Sequence, residues 1–277
     1  MTQPFARSAD RFIESKGLRL RVRDYGAGRP LLLVNGLGGY IEGWQALADE
    51  LPGRRLIAVD HPGTGRSQVP DCLMTIPALS GLYLEVIDRL GVEAFDVMGY
   101  SFGGLIAQQL AKDHPDRVRS MVLAATVCGW GGFPADPLAA LILANPLLYR
   151  STVVHELCAP LLYRGRVGRN PRLLRSELRG WNGPRGSMLG LLFQLTAGAT
   201  WSSLPWLCRL TMPTLVLGGE EDPLAPMANA RLLAARIPNA ELRVVDRGGH
   251  LFPIDRAKDV GPLITEFLDR HLEAATA

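Results

Sequence analysis

Short apolar runs recur along the chain, and each closes on glycine, proline or polar residues. From Arg11 to Tyr25 the pattern alternates around Lys16-Gly17, which predicts an opening β-hairpin. Continuous runs follow at Leu31–Val34, Arg55–Val59, Ala94–Met98, Met121–Ala125, Thr214–Leu217 and Leu242–Val245. They are short enough for strands and apolar on both faces, as buried parallel strands are. Helix-forming segments separate most of them: Trp44–Leu51, Pro77–Leu90, Leu105–Asp113, Met227–Ile237 and Ala257–Leu272. This alternation predicts an α/β fold, a mostly parallel central sheet with helices on both faces. It breaks once. Between Gly129 and Cys208 no strand-like run occurs, and the segment is rich in Leu, Trp and Arg. We therefore expect a core made of residues 1–128 and 209–277, with a helical cap, residues 129–208, inserted after the sixth strand. In such sheets the loops at the carboxyl ends of the strands build the site.

The most informative of those loops is Gly99-Tyr100-Ser101-Phe102-Gly103-Gly104, between the Ala94–Met98 run and the helical Leu105–Asp113 segment. G-x-S-x-G in that setting is a nucleophile elbow, a sharp strand-to-helix turn that exposes the serine hydroxyl. The competing reading is a glycine-rich loop with an ordinary serine; the flanking strand and helix favour the elbow. A serine needs a base to take its proton. Among the five histidines, His250 in Gly248-Gly249-His250-Leu251 follows the last strand on a glycine turn and is chosen over His61, His114, His155 and His271. His61 is read as a pocket-wall or structural residue. The imidazole needs a carboxylate. Asp222 is chosen from Glu220-Glu221-Asp222-Pro223 because Pro223 fixes the chain after it and Gly219 frees the turn before it, leaving Glu220 and Glu221 as solvated loop charges. Oxyanion-hole N–H donors are expected from Phe102 and from Leu37 in the loop Asn35-Gly36-Leu37-Gly38-Gly39. Asp60 to Ser67 is read as a turn that braces the site.

Composition narrows the class. The 277 residues are 47% hydrophobic, enough for a large core, and a net charge of +3 gives no reason to expect nucleic acid. Cys72, Cys128, Cys158 and Cys208 lie far apart with no metal-ligand spacing, which suggests free thiols in a reducing compartment. Residues 1–7 have no signal-peptide core, and the longest apolar stretch, Pro137–Tyr149, is broken at Asn145-Pro146 and too short to span a bilayer. A cytoplasmic protein with no transmembrane segment, cofactor or metal is expected.

The order Ser101, Asp222, His250 is that of the α/β-hydrolase superfamily, which the chain resembles over nearly its whole length. A nearer likeness is to intracellular medium-chain-length poly(3-hydroxyalkanoate) depolymerases. It is carried by Asn35-Gly36, Ala107-Gln108-Gln109, Val122-Leu123-Ala124-Ala125-Thr126, Ala197-Gly198 with Trp201, Trp206-Leu207, Asp222-Pro223-Leu224, Arg236-Ile237-Pro238-Asn239-Ala240 and Gly249-His250-Leu251-Phe252. Phe102 departs from the Trp expected there, and the middle of the cap matches poorly. The resemblance implies a Ser101–Asp222–His250 triad. It also implies cleavage of small or polymeric esters with apolar acyl chains, with the surface of a storage granule as a further partner.

Asn35, Gly36, Trp130, Trp201 and Leu251 are the expected substrate-binding residues. Trp130, Trp181, Trp201 and Trp206 fall in the cap and would favour acyl groups over sugars, although at least half of the cap aromatics are expected to be its own core. The cap arginines Arg150, Arg164, Arg166, Arg169, Arg172, Arg175, Arg179 and Arg185 are read mostly as a solvated face. A sharper reading has some of them attracting an anionic amphiphile or granule coat. Two other functions share these features: a carbon–carbon bond hydrolase acting on vinylogous diketones, and a non-catalytic ligand-binding protein of the same fold.

Overall fold

The computed structural model describes Phe5, residues 8–174 and residues 186–273. Its sheet starts with the expected hairpin. Strands β1 (Asp10–Ser15) and β2 (Leu18–Tyr25) pair antiparallel across a two-residue turn in which Lys16 and Gly17 have φ of 46° and 80°. A turn with both central residues at positive φ matches the twist of the strands it joins. Then come β3 (Arg29–Val34), β4 (Arg54–Val59), β5 (Phe95–Tyr100), β6 (Val118–Ala124), β7 (Thr214–Gly219) and β8 (Ala240–Val245). The order across the sheet is β1-β2-β4-β3-β5-β6-β7-β8. β2 pairs antiparallel with β4, and every pairing from β4 to β8 is parallel. Strand β5, in the middle, is buried along its whole length.

The helices are α1 (Gln45–Ala48), α2 (Ile76–Arg89), α3 (Phe102–Asp113), α4 (Pro137–Leu143), α5 (Pro146–Arg150), α6 (Thr152–Leu162), α7 (Gly165–Arg169), α8 (Met188–Ala199), α9 (Met227–Arg236), α10 (Phe252–Asp255) and α11 (Ala257–Glu273). Helices α2, α3 and α9 pack one face of the sheet around Tyr83, Phe95, Ile106 and Leu233. Helices α1, α10 and α11 pack the other around Trp44, Leu33, Phe252 and Phe267. The sheet is thus covered on both sides, as the continuous apolar runs require. No helix among the described residues is long and apolar enough to cross a membrane.

Between β6 and β7 the described residues hold α4 to α8, a 3-10 turn at Leu204–Arg209 and one isolated antiparallel bridge, Gly129 to Ser202. These helices start where the sequence supplies caps. Asp136 accepts from the N–H of Leu138 (3.0 Å), Asn145 from Leu147 (3.0 Å), Ser151 from Val154 (3.3 Å) and Ser187 from Leu189 (3.1 Å). Asn145-Pro146 divides the apolar stretch into α4 and α5, with proline at the first helical position of each. Trp181, Arg175, Arg179 and Arg185 lie outside the described residues.

Candidate active site

Strand β5 runs into α3 through Ser101, whose φ and ψ are 52° and −119°. That conformation is costly for a residue with a side chain and persists only where its surroundings enforce it. Three restraints do so. Ser101 N–H donates to the Ala124 carbonyl (2.9 Å), while the Ser101 carbonyl accepts from Gly104 N–H (2.9 Å) and from the Thr126 hydroxyl (2.7 Å). The turn closes only because its glycines are bare. A Cβ on Gly103 would run into the Val34 carbonyl, and one on Gly104 would strike the Thr126 side chain.

The Ser101 hydroxyl lies 2.9 Å from His250 Nε2. On the other side of the ring, Nδ1 is 2.9 Å from each carboxylate oxygen of Asp222. A carboxylate accepts only, so Nδ1 carries the proton and Nε2 is left as the acceptor for the serine O–H. Asp222 is itself held. Its Oδ1 accepts from the N–H groups of Leu224 (2.8 Å) and Ala225 (2.9 Å), and the residue is buried. Glu220 and Glu221 are not free loop charges. Glu220 accepts from Arg247 N–H (3.1 Å), whereas Glu221 pairs with Arg169 (2.7 Å) and accepts from Gly165 N–H (3.2 Å), both in α7. The His250 turn is tied to the same segment, since His250 N–H donates to the Tyr163 carbonyl (2.8 Å).

Opposite the histidine lies the loop after β3. Phe102 begins α3, where its N–H has no intrahelical acceptor, and Leu37 N–H makes no hydrogen bond among the described residues. Both residues border the cavity that holds Ser101. The loop is shaped by Asn35, whose buried side-chain amide donates to the Tyr40 carbonyl (2.8 Å), and by Gln194 of α8. Gln194 Oε1 accepts from Gly38 N–H (3.0 Å) and its Nε2 donates to the Pro62 carbonyl (3.4 Å). His61 braces the loop from beneath. Its Nε2 donates to the Asn35 carbonyl (2.8 Å), and Nδ1 accepts from the Tyr83 hydroxyl (2.6 Å). Complete burial pushes the His61 pKa down to about 4, so the ring is neutral and structural. Asp60, next to it, accepts from Ile41 N–H (2.8 Å) and Arg66 N–H (2.9 Å), which fixes the Asp60–Ser67 turn.

The cavity has a volume of about 380 Å³ and is walled mainly by apolar side chains from the core loops, α4, α5 and α8. Asn35, Gly36 and Leu251 border it. Trp130 and Trp201 do not, and these two expectations are corrected. Trp130 is 79% exposed on the outer surface. Trp201 is buried away from the cavity, with its indole N–H donated to Gln109 (2.7 Å) and its ring set edge-on against Trp206. The aromatic walls are instead Tyr40, Tyr100, Phe102, Tyr149 and Tyr163. Gln194 was also unforeseen, and its signal was positional: it is the polar member of an otherwise small or apolar stripe, Leu191, Gln194, Leu195 and Gly198, at helical spacing.

The family model for the alpha/beta hydrolase fold matches residues 29–257. The chain is 40% identical over 250 residues to a poly(3-hydroxyalkanoate) depolymerase from Ectopseudomonas oleovorans, covering 89% of this chain and 86% of the relative. It is 31% identical over 274 residues to a 2-hydroxymuconate semialdehyde hydrolase from Pseudomonas sp. (strain CF600), covering 93% of each. Among solved structures, a thermophilic esterase from Thermogutta terrifontis superposes with a TM-score of 0.80 at 26% identity, over 95% of this chain and 99% of that one. Sheet order, elbow and matched length agree, and the chain belongs to the alpha/beta hydrolase fold family.

Proposed function

We propose that this protein is a serine hydrolase that cleaves carboxylic esters with apolar acyl groups through an acyl-enzyme, a depolymerase-like esterase. The observation that carries the reading is the hydrogen-bonded chain from Asp222 through His250 to Ser101 at the edge of an apolar cavity. His250 Nε2 takes the hydroxyl proton as Ser101 Oγ attacks the ester carbonyl. The negative charge that develops on the carbonyl oxygen is held by the N–H groups of Phe102 and Leu37. His250, now cationic beside Asp222, protonates the departing alkoxide and then takes a proton from the water that attacks the acyl-enzyme. As the acyl–oxygen bond breaks, His250 returns that proton to Ser101 Oγ and the acid leaves, so one water is consumed for each ester cleaved.

The 40% identity to a depolymerase supports 3-hydroxyalkanoate esters as the substrate class. The second reading, carbon–carbon bond hydrolysis, draws support from the 31% identity to the semialdehyde hydrolase. In the proposal residues 129–208 form a cap over the cavity. The attraction of its arginines for a granule coat is reduced by internal pairing, Arg164 with Asp136 (2.7 Å) and Arg169 with Glu221. A fluorophosphonate probe and p-nitrophenyl octanoate test the core claim. The wild type should be labelled and turn over, and Ser101→Ala should do neither. Turnover retained in that variant removes the proposal, and a wild type inert to both reagents favours a non-catalytic binding protein. Faster turnover of a vinylogous diketone than of any ester in a panel favours the second reading.

A further inference from the structure

We propose that Arg21 and Glu42 are positioning residues for the reaction: they set the loop that carries the Leu37 oxyanion donor, although neither borders the cavity. The inference rests on the ester-hydrolase reading and deepens it. Strand β2 begins Leu18-Arg19-Leu20-Arg21-Val22-Arg23. Side chains alternate along a strand, so the arginines stand on the face opposite Leu20 and Val22, which join the core under α2 and α3. Arg19 is exposed, but Arg21 and Arg23 are only 2% and 3% exposed, and a cation is buried in this way only where it is paired. The Arg21 guanidinium meets three carboxylates. Its Nε donates to Asp10 (2.7 Å), its Nη1 to Asp60 (3.2 Å) and to one oxygen of Glu42 (3.2 Å), and its Nη2 to the other oxygen of Glu42. Arg23 Nε donates to the second oxygen of Asp10 (2.8 Å).

Three features tie this cluster to the reaction. First, two of its carboxylates hold the far end of the oxyanion loop. Glu42 lies in the 3-10 turn Ile41–Trp44 that follows the loop, and the fully buried Asp60 accepts from Ile41 N–H (2.8 Å). Second, the loop transmits that position. The carbonyl of Tyr40, next to Ile41, accepts from the Asn35 side chain (2.8 Å), and Gly39 N–H donates back to the Gly36 carbonyl (3.0 Å). Leu37 and Gly38 lie between these two ties. A Cβ on Gly39 would crowd the Asn35 side chain, so the turn is close-packed and passes on a shift at Ile41. Third, the cluster is a poor source of stability alone. A buried ion pair contributes little over apolar residues of the same size, because taking the charges out of water costs about what their attraction returns. What a planar guanidinium on a carboxylate supplies is direction. Arg21 uses it to join the hairpin at Asp10, the turn after β4 at Asp60 and the turn after the oxyanion loop at Glu42. The other proposed donor, Phe102 N–H, is set by the elbow and does not depend on the cluster.

The test reads kcat for p-nitrophenyl octanoate per active site, with sites counted by fluorophosphonate titration. Alongside it, Ki is measured for octyl trifluoromethyl ketone, whose hemiketal with serine places an oxyanion in the same hole. Glu42→Ala should lower kcat per site roughly 5- to 50-fold, part of the ~10²–10³ that loss of a whole oxyanion donor costs. Ki should rise by a similar factor, with KM changed less than about twofold. Glu42→Gln keeps an acceptor for Arg21 and should recover most of both losses. Arg21→Lys keeps the charge without the planar fork and should lose as much as Glu42→Ala. If the lysine variant does not fold, the Glu42 pair carries the test, since 27% of that side chain is exposed at the rim of the cluster. A lower Tm or fewer titratable sites, with kcat per site and Ki unchanged, is what a purely structural cluster gives; it overturns the inference and leaves the hydrolase reading standing. A wild type that neither reacts with the fluorophosphonate nor cleaves the ester overturns both.

Discussion

Gln194 reaches from the inserted helices to the loop proposed to hold the oxyanion, and replacing it with leucine measures how much of the reaction depends on that bond. The substitution is close in volume and removes two hydrogen bonds. One, from Gly38 N–H at 3.0 Å, is well formed; the other, to the Pro62 carbonyl at 3.4 Å, is long and contributes little. Gln194 is only 3% exposed, whereas Gly38 is half-buried at a cavity edge, so leaving its N–H without this partner costs toward the lower end of about 1–3 kcal/mol. The loop can relieve this by rotating the Gly38 peptide, which shifts the adjacent Leu37 N–H. If about 1–2 kcal/mol of oxyanion stabilisation is lost in this way, the rate falls roughly 5- to 30-fold. The assay is steady-state hydrolysis of p-nitrophenyl octanoate with thermal unfolding alongside. Gln194→Leu should lower kcat by that factor, with KM changed less than threefold, and lower Tm by about 2–4 °C per kcal/mol lost. Gln194→Glu keeps an acceptor for Gly38 and should recover part of kcat. An unchanged kcat, or a loss that falls wholly on KM, would show that Gln194 is only a cavity wall.

Asp222→Asn should lower kcat by about 10⁴ with little change in KM, because the amide retains an acceptor for Leu224 and Ala225 but cannot keep the His250 proton on Nδ1; a loss below tenfold would show that this carboxylate does not orient the imidazole. His61 links stability to pH. Its pKa is about 4 when folded, against roughly 6.5 when unfolded. The unfolded chain therefore binds the extra proton between those values, and the stability that His61 contributes at neutral pH is lost as pH falls from about 6.5 to about 4, by up to about 3 kcal/mol. In urea denaturation at several pH values the stability difference between wild type and His61→Gln should shrink over that interval, and a constant difference would refute the linkage.

What the sequence disclosed follows a physical boundary. Every apolar run assigned as a strand lies in the sheet; the inner strands are buried on both faces, must be apolar throughout and leave a mark in a few consecutive residues, while β8, with Arg243 and Val244 exposed, is marked by only part of such a run. The elbow was legible for the same reason: strand, close-approach glycines and helix are all local. His250 and Asp222 could be chosen because strand ends converge on one edge of a parallel sheet, so chain position stands in for distance. That shortcut fails in the insertion. Trp130 and Trp201 were assigned to the cavity on residue type, yet one is exposed and the other is bound to Gln109. Tyr163 and Gln194, which do meet the site, are distinguished only by partners far away in the chain. Helical periodicity gives a buried face, not what that face touches.

The backbone strain around the site and the bonds from the insertion belong to one arrangement. Ser101, Ala125 and Arg164 have φ of 52°, 49° and 49°, in a region that costs a residue with a side chain about 1–3 kcal/mol. Each is next to, or part of, a bond to a different segment of chain. Ser101 N–H reaches Ala124, and Ala125 N–H reaches the Leu217 carbonyl at 3.0 Å. Arg164 sits between Tyr163, which holds His250 N–H, and Gly165, which holds Glu221. The first two are enforced by the β5-β6-β7 ladder. The third lies where the segment between β6 and β7 meets the histidine and acid loops. Tyr163 to Arg169 therefore act as part of the site's frame, and shortening this segment would unseat His250 while leaving the serine elbow intact.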